Sequence, residues 1–240
     1  MKLLSFLTAL MLASPALAQP VTFTTEHYPP FVMLEKGKPT GSGPEITARM
    51  MEKAGLEYRL EVMPWARAIA LAGATDMTCV FAAARTPERE KQFKWVEEPI
   101  RTMRNYLVRL KGNNIRATTL DDAKRFTVGT HRGDFTETLL KQKGFKQVDL
   151  APDFTASVNK LLMGRIDLMP MSEEALRNLE KEGSPIESVV LFSESRLSYA
   201  CNKAMPNDIV TRMSNSLAEL TASGEKDTIF QAWEMHDIRP

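Results

Sequence analysis

The chain has 240 residues, of which 43% are hydrophobic and 25% are charged, and its formal net charge is +1. This composition is typical of a folded globular protein and excludes a low-complexity chain. The near-neutral charge argues against nucleic acid or an anionic membrane as the main partner.

The first predicted element is a secretory signal peptide over residues 1–18. Lys2 precedes an apolar run at 3–13, Ser14 and Pro15 end that run, and residues 16–18 supply small side chains for cleavage. The run is too short for a stable membrane anchor. We therefore expect a neutral, soluble, monomeric mature chain in the periplasm.

The first part of the mature chain alternates between strand and helix. The pattern predicts strands at 21–25, at 58–63 and just before Arg85, with helices over 44–54 and 64–72. This β-α-β-α-β order predicts a mostly parallel sheet with helices on both faces.

The turn after the third of these strands has the clearest chemical pattern. Thr86 is placed to cap a helix, Pro87 suits its first position, and Arg89 follows within the first turn. Backbone N–H groups and a guanidinium directed at one point suit a small anion such as a carboxylate. An ordinary capped surface helix is the alternative explanation of the same residues.

A second alternating unit follows an extended segment at 101–110. We expect Asp134 and Glu137 to form a capping box and Ser172 to cap another helix. Strands are predicted at 126–129, 147–150, 166–170, 189–192 and 197–201. Helices are predicted from 134, from 154 or 157 to 163, and over 173–181, 207–223 and 227–236.

The chain is predicted to cross twice between two lobes. Lobe 1 comprises residues 19–108 and 197–240, and lobe 2 comprises residues 109–196. Open α/β sheets bind ligands at the carboxyl ends of their strands. The turns that follow the strands should therefore line one cleft, which closes over a ligand by a hinge motion.

Several residues in these turns are candidate ligand contacts. Tyr28, Phe31 and Trp65 suit stacking on a ligand or shielding it from water, although core packing explains Phe31 and Trp65 equally well. Arg67 is a second candidate cation, with a solvated helix position as its alternative. Gly133 and Asp134 are also candidates, because the N–H groups behind Gly133 suit an anion; a helix cap is the alternative role of Asp134.

The two cysteines and the histidines give weaker signals. Cys79 and Cys201 lie in two predicted strands and would form a disulfide if those strands are neighbours; the alternative is a pair of buried thiols. His131 would make binding sensitive to pH if it contacts the ligand, and the alternative, a solvated loop position, is commoner for such a residue. The histidine and cysteine spacings match no metal site, and we expect no cofactor.

The order of the motifs resembles that of the family 3, amino-acid-type extracytoplasmic solute-binding proteins. The resemblance depends on these segments: Tyr-Pro-Pro-Phe after the first strand, Gly41-x-Gly43-Pro44-Glu45, Thr86-Pro87-Glu88-Arg89, Val128-Gly129-Thr130 and Gly164-Arg165-Ile166-Asp167. The resemblance implies a two-lobed α/β protein of the type II periplasmic binding fold. It also implies that Arg89 grips a ligand carboxylate and that an ABC-type permease or a receptor is the partner.

The chain departs from this family where the ligand amine is usually held. Ala84 ends a run of three alanines in place of the usual Ser or Thr, and Ser172 stands where an Asp completes the ammonium site. Both positions remain candidate contacts, and Glu173 or Glu45 could replace the missing carboxylate. The expected ligand is a small, anionic, carboxylate-bearing metabolite, either amino-acid-like or an organic acid.

Two alternatives share this scaffold. Periplasmic cyclohexadienyl dehydratases are similar to these binding proteins, and Glu173 is the candidate general acid for such an enzyme. The chain could also be the ligand-sensing subunit of a membrane receptor. We expect a binding protein and not an enzyme, because binding is the commoner function on this fold.

Overall fold

The computed structural model describes residues 19–235, so the predicted signal peptide lies outside the described residues. Strands and helices alternate through most of this range. In chain order they are β1 Val21–Thr25, β2 Met33–Glu35, β3 Lys38–Thr40, α1 Ser42–Ala54, β4 Tyr58–Val62, α2 Trp65–Ala74, β5 Thr78–Ala84, α3 Pro87–Glu90, β6 Lys94–Trp95, β7 Arg101–Leu110, α4 Leu120–Ala123, β8 Val128–His131, α5 Phe135–Gln142, β9 Val148–Ala151, α6 Phe154–Leu162, β10 Met169–Ser172, α7 Glu173–Lys181, β11 Ile186–Cys201, α8 Asn207–Ala222 and α9 Glu225–Met235.

Two long antiparallel strands join the halves of the molecule. β7 pairs with β11 from Ile186↔Leu110 to Leu197↔Arg101. On one side of this ribbon β11 continues onto β5, β1 and β4, and on the other side β7 pairs with β10. The α/β class and the two-lobed architecture are thus confirmed, with antiparallel strands at the crossings. The lobe boundaries predicted near residues 108 and 196 stay a prediction, because both strands pass these points unbroken.

The first lobe is built on parallel strands. β1 pairs in parallel with β4 and with β5, as the β-α-β-α-β pattern predicts. Its core contains Phe23, Phe81 and Tyr199, which are fully buried. Helix α1 ends at Gly55, whose positive φ of 62° lets the chain turn while the Leu56 N–H bonds to the Met51 carbonyl.

The second lobe places β8 beside β9 in parallel, and a bridge from Val128 to Leu168 connects β8 to the segment that enters β10. Apolar side chains from β7, α6 and α7 fill the space on one side of this sheet. The carboxyl ends of β8 and β10 face the carboxyl ends of β1 and β5, which is where the sequence predicts the cleft.

A disulfide joins Cys79 and Cys201. The two residues are direct partners in the antiparallel pairing of β5 with β11 and both are fully buried. The bond therefore holds the returning strand β11 to the central strand of the first lobe.

Some local predictions were wrong. The extended segments predicted at 189–192 and 197–201 are one strand, because the polar residues between them pair with β7. Glu137 accepts from the Gly133 N–H and not from that of the cap residue Asp134, so no capping box forms. Thr86 precedes α3, but its side chain makes no cap hydrogen bond.

Candidate functional site

A small cavity lies between the two lobes, at the carboxyl ends of β1, β5, β8 and β10. Its volume is about 60 Å³, which holds a few water molecules at roughly 10–15 Å³ each. This space is too small for a metabolite, so a ligand of that size requires the two lobes to separate. Aromatic side chains supply much of the lining: Tyr28, Phe31, Trp65, Phe135 and Phe154.

Five of the candidate residues line this cavity, namely Tyr28, Phe31, Trp65, Ala84 and Asp134. Tyr28 packs on Phe154 with 4.1 Å between ring centroids. Its hydroxyl accepts a hydrogen bond from the Ser172 backbone N–H at 3.1 Å. Burial raises the pKa of the Tyr28 hydroxyl, so this group stays neutral and joins the two lobes.

Arg89 lies next to the cavity, behind its lining. It is 8% exposed, and burial lowers the pKa of its guanidinium, with Asp134 opposing that shift. Nη2 donates to the Gly133 carbonyl at 2.8 Å and Nη1 to the Ala84 carbonyl at 3.3 Å. Arg89 and Gly133 also line a groove on the outer side of this contact. The guanidinium therefore faces the outer groove and bonds to Ala84, a residue of the cavity lining.

The remaining candidates lie elsewhere. Arg67 is exposed and does not belong to the cavity lining that the structure describes. The Ser172 hydroxyl accepts from the Ala175 N–H and so caps α7, as predicted. Glu173 pairs with Arg177 outside the lining, and Glu45 accepts from the Trp233 indole. None of these side chains reaches the cavity in the described structure.

Sequence reasoning missed a charged cluster formed by Glu26, His131 and Asp134. His131 was expected in a solvated loop, but β8 extends to residue 131 because it pairs with β9 up to Ala151, and the ring is buried. His131 Nε2 lies 3.2 Å from both oxygens of Glu26, with hydrogen-bond geometry to Oε1, and 3.9 Å from Asp134 Oδ2. These are also residues that could hold a metal ion.

Burial and charge act in opposite directions on this cluster. Burial disfavours the charged form of His131, but the carboxylates of Glu26, Asp134 and Asp153 together outweigh it and raise the pKa of His131 to about 9. Burial raises the pKa of Glu26, and His131 opposes that rise. Glu26 belongs to the first lobe and His131 to the second, so the pair also spans the cleft. No spacing rule connects two residues that are 105 positions apart.

A second ion pair lines the cavity where β7 begins. Arg101 Nη2 lies 2.7 Å from Glu174 Oε1, and the guanidinium carbon lies 4.4 Å from the centroid of the Phe230 ring. Among residues 19–235, Arg101 is the arginine that lines the cavity. Its position at a strand start, away from any recognisable motif, gave no signal in the sequence.

Two α/β lobes joined by two crossing strands, with a cavity lined by aromatic and charged side chains between them, define a two-lobed ligand-binding protein of the periplasmic binding type. Residues 21–236 match the family described as bacterial extracellular solute-binding proteins, family 3, and the chain belongs to this family. A search of curated proteins finds no match.

Solved structures support the same fold. A histidine kinase sensor domain with similarity to periplasmic binding proteins is 19% identical, with a TM-score of 0.81, covering 90% of this chain and 96% of that one. An ancestral arginine-binding protein bound to glutamine is 23% identical, with a TM-score of 0.79 and coverages of 89% and 97%. The arginine-, lysine-, histidine-binding protein ArtJ from Geobacillus stearothermophilus is 18% identical, with a TM-score of 0.80 and coverages of 90% and 95%.

The helices of the described chain, residues 19–235, are all too short or too polar to cross a membrane.

Proposed function

We propose that this protein captures a small carboxylate-bearing metabolite in the periplasm and delivers it to an ABC-type permease. Closure of the two lobes holds the ligand, and no covalent step is required. The family supports solute binding in general, and the carboxylate is our inference from the site.

The proposal depends on the burial of Arg89 and on its hydrogen-bond partners. Within the described chain this buried guanidinium bonds only to the neutral carbonyl oxygens of Gly133 and Ala84. A guanidinium offers five N–H donors, and no carboxylate of the described chain bonds to this one, although Asp134 acts on its charge from nearby. A ligand carboxylate that reaches Arg89 in the open form would pair with it directly through two parallel hydrogen bonds.

The cavity also bears on whether the ligand carries an amine. Ser172 lacks the charge to hold an ammonium group, but Glu26, Asp134 and Glu174 all line the cavity. We therefore keep both amino-acid-like and organic-acid ligands in the proposal. Titrations with matched pairs, each an amino acid and its hydroxy-acid counterpart, distinguish between these two classes of ligand.

The test is calorimetric titration of the purified protein against such a panel, followed by variants. Arg89→Ala should weaken binding at least tenfold, because charge-assisted hydrogen bonds contribute about 1.5–3 kcal/mol each. Arg85→Ala is the matched control, since Arg85 pairs with Glu90 and Glu97 outside the cavity. Full affinity in Arg89→Ala would contradict the proposed anchor.

A further inference from the structure

One corner of the cavity contains three titratable side chains that the proposed binding of a ligand carboxylate by Arg89 does not involve. We propose that Glu26, His131 and Asp134 bind a divalent first-row transition metal ion of the Zn²⁺ type, which bridges the two lobes. Glu26 follows β1 in the first lobe, whereas His131 and Asp134 flank the turn between β8 and α5 in the second. This inference does not depend on which metabolite the cleft captures.

The distances within the cluster suit one small ion. The candidate ligand atoms all lie within 4.8 Å of one another, and His131 Nε2 is 3.2 Å from Glu26 and 3.9 Å from Asp134. Zn²⁺ binds imidazole nitrogen and carboxylate oxygen at about 2.0–2.2 Å in tetrahedral geometry, so its ligand atoms stand roughly 3.3–3.5 Å apart. The ion would replace the Nε2 proton of His131, which is released to solvent, and small side-chain rotations would bring the three groups to these separations.

A second observation points to a missing partner. Glu26 is 92% buried, and its Oε2 finds no hydrogen-bond partner among the described residues, although it lies close to His131. His131 Nε2 lies 3.2 Å from this oxygen but without hydrogen-bond geometry, so the ion pair offsets only part of the cost of its lost hydration. A cation in the cluster would remove that cost.

Hydrogen bonds from a neighbouring residue orient the Asp134 carboxylate, as hydrogen bonds to the ligand residues do in metal sites. Asp134 Oδ1 accepts from the Thr136 N–H at 2.9 Å and from the Thr136 hydroxyl. These bonds leave Oδ2 on the side of His131 and fix its direction, which is how outer hydrogen bonds tune a metal site. One imidazole among the ligands favours Zn²⁺ and its neighbours over Mg²⁺ or Ca²⁺, which take oxygen ligands.

The experiment titrates Zn²⁺ into chelator-treated protein in a metal-free, non-coordinating buffer, with calorimetric detection. We expect one Zn²⁺ per chain and no comparable binding of Mg²⁺. Glu26→Gln and Asp134→Asn keep side-chain shape, and Asn still caps a helix. Each should weaken Zn²⁺ binding at least tenfold, as loss of even an outer contact commonly costs about 10- to 100-fold.

Asp153→Asn is the matched control. Asp153 is also a helix-capping carboxylate, bonded to the Ala156 N–H at 2.8 Å, and it lies outside the cluster. We expect its Zn²⁺ affinity to stay within about threefold of wild type, because only longer-range, screened electrostatics change. A comparable loss in all three variants would overturn the assignment, and so would unchanged binding in Glu26→Gln and Asp134→Asn.

A measurement on the wild-type protein does not depend on whether the variants fold. Crystals of the wild-type protein soaked in Zn²⁺ should give an anomalous peak at the zinc edge between Glu26 and His131. A peak elsewhere, or no binding by the wild-type protein, would leave the cluster a buried ion pair and end the proposal. Metabolite binding is measured in zinc-free buffer, so its success or failure is independent of this result.

Discussion

Arg89 and Gly133 are joined across the cleft, with the guanidinium donating to the Gly133 carbonyl oxygen at 2.8 Å. The Trp65 indole N–H donates to the same oxygen, also at 2.8 Å, and the Arg89 guanidinium carbon lies 5.6 Å from the Trp65 ring centroid. One carbonyl of the second lobe is thus held by two donors of the first. Because closure and ligand binding are coupled, weakening this contact should lower the apparent affinity.

Trp65→Phe removes one of these donors and keeps most of the ring. A hydrogen bond of this kind contributes about 0.5–1.5 kcal/mol, so we expect ligand affinity to fall about 2- to 10-fold. Trp95→Phe is the matched control, because the Trp95 N–H is buried without a partner in the described chain. Calorimetric titration of both variants checks the prediction, and an equal loss in both would contradict the role assigned to Trp65.

Gly133→Ala tests the same contact from the second lobe. Gly133 has a φ of +75°, and an added Cβ would lie 3.3 Å from the Ala66 Cα in the first lobe. The left-handed backbone should cost roughly 1–2 kcal/mol of stability, and the crowding should also oppose closure. We expect a lower ligand affinity and, by small-angle scattering, a larger radius of gyration with ligand present.

Gly144→Ala is the control for that experiment. Gly144 has a similar φ of +86°, but its added Cβ would meet only the flexible end of Lys124 at 3.9 Å. We expect a comparable loss of stability with ligand affinity unchanged. If the two variants bind ligand equally well, the Gly133 contact does not limit closure.

The sequence predicted the architecture well because the signals for it are local. Strands and helices alternate along the sequence, and residues such as Gly55 mark where helices end. The motifs, including the turn at Arg89, follow the order that is typical of the family. The aromatic residues after β1 and at the start of α2 were also placed at the cavity. Each of these conclusions depends on residues that are close in the chain or on a pattern shared with a family.

The charged interior could not be predicted in the same way. The Glu26–His131 contact and the Arg101–Glu174 pair each depend on how two distant segments meet, and no local pattern encodes that meeting. His131 was misplaced because the sequence pattern ended β8 two residues early. The sequence places Arg67 near a strand end, where it could face the cleft, but its position on α2 leaves it exposed.

Glu174→Gln should change which ligands the cavity accepts. Glu174 pairs with Arg101, and their side chains are 19% and 24% exposed. Removing the carboxylate charge frees Arg101 for an anion, so affinity for a dicarboxylate should rise relative to a monocarboxylate, by about 1 kcal/mol or roughly fivefold. Glu187→Gln breaks the pair with Arg109 near the far end of the β7–β11 ribbon and is the control. An equal ratio of affinities in both variants would argue against this role.

The disulfide should stabilise the first lobe without contributing to binding. Cys79 and Cys201 are 122 residues apart in sequence, and neither lines the cavity. A Cys79→Ala, Cys201→Ala double variant should lose about 2–5 kcal/mol of unfolding free energy, because the unfolded chain regains the freedom that the cross-link removes. Urea unfolding measures this loss, and a reductant should lower the wild-type midpoint while leaving the double variant unchanged. Ligand affinity at low denaturant should be the same in both, and a wild-type midpoint insensitive to reductant would contradict the stabilising role.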